Sequence, residues 1–152
     1  MNDDAPLIVH EDDAVTIGYV KDFSSLLRAI DEVMPKEAVL YLEGTSVAPD
    51  VVSFLEARPA QNPPKVEANT LWPKPKVFHM PLAGDNLAEL RKLADKHAQP
   101  EVADHLVVYR GAAALLWAHD AGDGYVDVAR TWSESTAKPL RNALRNAIKS
   151  KQ

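Results

Sequence analysis

The sequence predicts one α/β or α+β domain: a mixed β-sheet of about six strands, packed by about four helices and ending in an antiparallel meander. Three observations lead there. Segments of strand and helix period alternate through the first part of the chain, which suits helical crossovers between parallel strands. From Asp104 the pattern changes to three short strand-like runs separated by turn residues, which forces antiparallel pairing. The 152 residues, 46% apolar and 26% charged, suffice for one core and contain no repeat or composition break that would mark a second domain.

Residues 1–13 form an acidic tail. Ala14–Val20 then alternates, with Val15, Ile17 and Tyr19 expected on one face and Thr16, Gly18 and Val20 on the other. Asp22 reads as an N-cap for a helix whose apolar stripe is Phe23, Leu26, Leu27, Ile30, Val33 and Met34, stopped by Pro35. Ala38–Glu43 is apolar on both faces until its last residue, the pattern of a central strand. Gly44, Thr45 and Ser46 turn the chain into a short helix with Pro49 at its first position, ending near Arg58.

Pro59 to Pro81 holds six prolines in 23 residues, so a long irregular connection is expected, with 59–75 as its Pro-rich loop and Lys76–Met80 as a strand at its end. Asn86 and Glu89 have capping-box spacing before a helix carrying Leu87, Leu90, Leu93 and Ala94, which reaches towards Pro100. The meander strands are His105–Arg110, Ala113–His119 and Tyr125–Arg130, joined at Gly111-Ala112 and at residues 120–124. A terminal helix carries Leu140, Ala143, Leu144, Ala147 and Ile148 beside a basic row of Arg141, Arg145 and Lys149.

Composition excludes several functions. The chain has no cysteine, which removes disulfides, thiolate nucleophiles and iron–sulfur clusters. A net charge of −5 disfavours general binding to nucleic acid or to anionic membrane. The start of the chain lacks the basic and apolar regions of an export signal, and its apolar runs are too short to span a bilayer, so a soluble cytoplasmic protein is expected. Charge is polarised: residues 1–22 contain six acids and one lysine, whereas 134–152 contain five cations and one glutamate.

Two functional readings follow. If the early strands are parallel, their carboxyl ends share one rim of the sheet, where open α/β sheets bind ligands. That rim nominates Glu43, Ser46, His79 and Arg110 as a proton-moving carboxylate, a hydroxyl, an imidazole and an anion-binding guanidinium, the parts of a small hydrolase-like enzyme for an anionic substrate. No G-x-S-x-G elbow, Walker loop or G-x-G-x-x-G supports it, and Gly44-Thr45-Ser46 serves equally as an ordinary turn.

The other reading is a protein-binding or regulatory module whose contacts include Trp72, Lys74 and Lys76 of the Pro-rich stretch and Trp132 after the last strand. It predicts a protein partner, with a homodimer through the terminal helix or a free meander edge as a further possibility. No cofactor is implied. His119, Asp120 and Asp123 are potential metal ligands, but no glutamate follows Gly124 as a calcium loop requires, and no metal site is expected.

Overall fold

The protein is described by a computed structural model covering residues 7, 9, 11–61, 63–64, 75–119 and 124–150. Among these residues, six strands and four α-helices follow as β1 (Ala14–Val20), α1 (Phe23–Val33), β2 (Val39–Gly44), α2 (Pro49–Glu56), β3 (Lys76–Pro81) and α3 (Asn86–Ala94). β4 (His105–Arg110), β5 (Ala113–Ala118), β6 (Gly124–Ala129) and α4 (Arg130–Ser150) complete the order. Short 3-10 turns at Glu11–Asp13 and Gln99–Glu101 precede β1 and β4.

All six strands join one sheet in the order β1-β6-β5-β4-β2-β3, and each hydrogen-bonded neighbour is antiparallel. The expected mixed sheet is therefore corrected to an entirely antiparallel one. The crossovers through α1 and α3 do preserve strand direction, but they join strands that are not neighbours. β6, β5 and β4 lie between β1 and β2, while β2 lies between β3 and β4. Between β2 and β3 the chain reverses, since α2 and the long connection after it return β3 alongside β2 in the opposite sense. The meander is internal, flanked by β1 and β2, so it offers no free edge for a dimer.

The four described α-helices lie on the same side. Leu26, Leu27 and Ile30 of α1, Val51 and Leu55 of α2, Leu87 and Leu90 of α3 and Leu140 and Leu144 of α4 share one core with Leu40, Leu42, Leu106, Val108, Val126 and Val128 of the sheet. Alternation along each strand leaves the opposite face without an α-helix among the described residues, and Leu7 from the N-terminal segment packs there against Tyr41, Val107, Tyr109, Ala114 and Trp117. Burial of each large aliphatic side chain in the helix-side core contributes about 1.5–3 kcal/mol before entropy is subtracted.

Local signals explain the helix ends. The Asp22 carboxylate accepts from the Ser25 amide at 3.1 Å, capping α1, and Met34 turns extended just before Pro35. α3 differs from expectation at its start: Asp85 is the residue before the helix, and Asn86 instead donates from Nδ2 to the Pro81 carbonyl at 2.9 Å. α4 begins directly after β6 and runs through Pro139, so Thr131 and Trp132 belong to its first turn rather than to a strand exit.

The two sheet edges are capped by different means. At β1, Arg141 of α4 donates from Nε to Ile17 O at 3.1 Å and from Nη2 to Thr16 O at 3.3 Å. At β3, the Ala60 amide donates to His79 O at 2.9 Å, and Pro81 has no amide hydrogen to offer.

Candidate functional site

Antiparallel register places the chemically interesting side chains in rows across the helix-free face. One row runs Trp117, Val107, Tyr41, His79 over β5, β4, β2 and β3. The next holds His105, Glu43 and Val77, with the His119 ring 5.9 Å from that of His105. Glu43 is only 1% exposed, which the sequence does not foreshadow for the last charged residue of a strand.

Its burial is compensated. Tyr41 donates from its hydroxyl to Glu43 Oε1 at 2.8 Å, and His105 Nε2 stands 3.7 Å from Oε2. Burial, reinforced by the neighbouring carboxylate, holds the Tyr41 hydroxyl protonated far above the usual phenol range. Across the same face His79 Nδ1 and the Tyr109 hydroxyl share a 2.7 Å hydrogen bond. Burial lowers the His79 pKa and pushes that of Tyr109 up to about 12, so this pair is neutral near pH 7. The Trp117 indole nitrogen and His105 Nδ1 are buried and make no hydrogen bond among the described residues.

The residues nominated for catalysis do not gather on a common rim. Glu43 lies opposite His105, whereas Arg110 is five positions further along β4, about 16 Å away at the usual rise of a strand. Arg110 is exposed and pairs with Glu37 through a 3.1 Å contact. Ser46 is exposed beyond the end of β2, and His79 sits midway along edge strand β3, bonded to Tyr109. The expected common exit fails because β2 and β3 run in opposite senses.

Of the residues nominated for binding, Lys76 is exposed at the start of edge strand β3. Trp132 is half-buried against the core on the helix side of the sheet, not displayed with Lys76. Trp72 and Lys74 lie outside the described residues, as do Asp120 and Asp123. No group of three His, Asp or Glu side chains among the described residues is arranged to hold a metal ion.

A cleft of about 260 Å³ opens where the start of α1 meets the segment after α3. Its polar lining is largely satisfied within the protein: Asp22 caps α1, and His97 Nε2 lies 2.9 Å from Asp50. The Asp50 carboxyl is held below its ordinary pKa, first by that imidazole contact.

The feature absent from the sequence reading is an aromatic pair. Tyr19 of β1 and Tyr125 of β6 stand opposite each other on the helix-free face, their rings 5.0 Å apart and nearly perpendicular, with 45% and 64% of their surfaces exposed. Strict alternation would turn Tyr19 to the side of Ile17. The register shift between Thr16 and Gly18 inserts an extra residue, so Ile17 and Val20 enter the helix-side core while Tyr19 faces the other way. Beside the pair on the same face, Thr16 donates from its hydroxyl to Asp127 Oδ1 at 2.6 Å.

Comparison with known proteins finds no matching family model, curated protein or solved structure. The fold and the site therefore define only a class, a two-layer α+β protein with its helices on one side of an antiparallel sheet.

Proposed function

We propose that this is a protein-binding module that engages its partner through the part of the helix-free face carrying Tyr19 and Tyr125. The exposed, mutually buttressed tyrosine pair is the observation that supports it. Tyrosine supplies large contact area and a hydrogen-bonding tip while losing little side-chain entropy, which is why it anchors many protein interfaces. Leu7 packs with residues of β2, β4 and β5 on this face and its cluster reaches Ala14 and Ala129, while Tyr19 and Tyr125 at the other end of the β1–β6 pair are exposed.

The hydrolytic alternative, with Glu43, Ser46, His79 and Arg110 acting on an anionic substrate, receives less support. Glu43 and His79 are engaged with tyrosines, and Arg110 stands a strand length from Glu43.

A photo-crosslinking side chain tests the proposal when placed at position 125 and, as a control, at Ser53 on exposed α2. A discrete one-to-one protein adduct is expected from position 125 alone, and Tyr19→Ser is expected to abolish it. No adduct, or equal labelling from both positions, overturns the proposal.

A further inference from the structure

We infer that the partner segment taken up at Tyr19 and Tyr125 is basic, an extended stretch of polypeptide rich in arginine or lysine; this rests on the binding reading above. The surroundings of the tyrosine pair carry the inference. Asp127 follows Tyr125 on the same face of β6; one carboxylate oxygen receives Thr16, and the other takes no hydrogen bond among the described residues. The next pair across β1 and β6 on this face is Ala14 with Ala129, partly buried against the Leu7 cluster, which bounds the patch on that side. The acidic turn Glu11–Asp13 leads directly into β1.

Two of the nearby cations are already engaged, while Lys21 stands exposed just past the end of β1. Arg130 lies 3.3 Å from Asp13, and Arg141 is committed to the β1 carbonyls. In sequence, residues 1–22 contain six acids and one lysine. Guanidinium and ammonium groups are attracted both to tyrosine faces and to an open carboxylate oxygen, so one basic side chain can satisfy both features at once. A polyanion is repelled by the same charges. A second copy of this chain is a poorer fit, because Arg141, the first cation of its basic helix row, is spent on its own sheet edge.

Fluorescence anisotropy with a labelled decapeptide of alternating Arg and Ser tests the inference, with a Glu–Ser decapeptide as counterpart. The Arg–Ser peptide is expected to bind, and the Glu–Ser peptide is not. Asp127→Asn and the double change Tyr19→Ser/Tyr125→Ser are each expected to weaken binding about fivefold. Glu56→Gln, at an exposed position of α2, removes the same charge on the other side of the sheet and is expected to change nothing. Equal weakening by Glu56→Gln and Asp127→Asn reduces the effect to bulk charge and overturns the inference, as does unchanged affinity in the tyrosine variant. A partner crosslinked at position 125 through a non-basic segment overturns the inference while leaving the binding function standing. Self-association abolished by Tyr125→Ser, measured by sedimentation, overturns it in favour of a second copy.

Discussion

Tyr41 and Glu43, two residues apart on one face of β2, are joined by a 2.8 Å hydrogen bond in which a buried phenol donates to a buried carboxylate. Neighbours at this spacing point the same way in a strand, so the donor comes from the strand itself rather than from a distant loop. The bond offsets part of the cost of holding Glu43 away from water.

Removing that donor exposes the cost. Tyr41→Phe is expected to lower stability by about 1.5–3 kcal/mol, since it deletes a hydrogen bond to a charged group with little change in shape. Glu43→Gln, which keeps an acceptor for Tyr41, is expected to cost less. Urea denaturation of the two variants beside the parent checks the ranking.

His79 gives stability a pH dependence of predictable sign. Its pKa is lowered by burial, so on acidification the unfolded chain takes up this proton first, near its ordinary value of about 6.5. The contribution of neutral His79 is present above that value and is lost progressively as pH falls towards the depressed folded pKa. His79→Gln is expected to flatten the loss of stability between neutral and mildly acidic pH. Urea midpoints measured from pH 8 to pH 5 check it; an unchanged slope contradicts it.

The seal on the β1 edge predicts a solution property. Arg141→Ala leaves the Ile17 and Thr16 carbonyls without their guanidinium partner and opens an edge strand to pairing with other chains. Stability is expected to fall by about 1–3 kcal/mol, and concentration-dependent association is expected in sedimentation. Arg141→Lys, which restores a donor without the two-pronged geometry, is expected to recover only part of both effects.

Gly111 joins β4 to β5 with φ of 63°, in the left-handed region. No atom obstructs an added Cβ there, so Gly111→Ala isolates the backbone term. A loss of about 1–2 kcal/mol in thermal or urea denaturation is expected.

Local elements were largely legible. The runs at Ala14–Val20, Lys76–Met80 and His105–Arg110 are strands as read, because alternation and turn residues act within a few residues. The stripe of α1 and its Asp22 cap are likewise written locally. The burial of Glu43 is not legible because nothing in its own segment announces that Tyr41 and His105 converge on it. Alternation alone turns Tyr19 to the wrong face, because a one-residue bulge leaves no mark on a hydrophobic pattern already ambiguous at Ile17 and Gly18.

The amino-acid sequence by itself determined where helices and strands lie and which stripe of each helix is buried, since periodicity, capping and proline placement are properties of short segments. Tertiary structure alone decided which strands are neighbours, that all are antiparallel, and which side chains share the face without helices. Hydrogen bonds between strands join residues far apart in the chain, and their register settles which groups meet. Tyr19 and Tyr125 are adjacent, and Glu43 and Arg110 apart, for that reason.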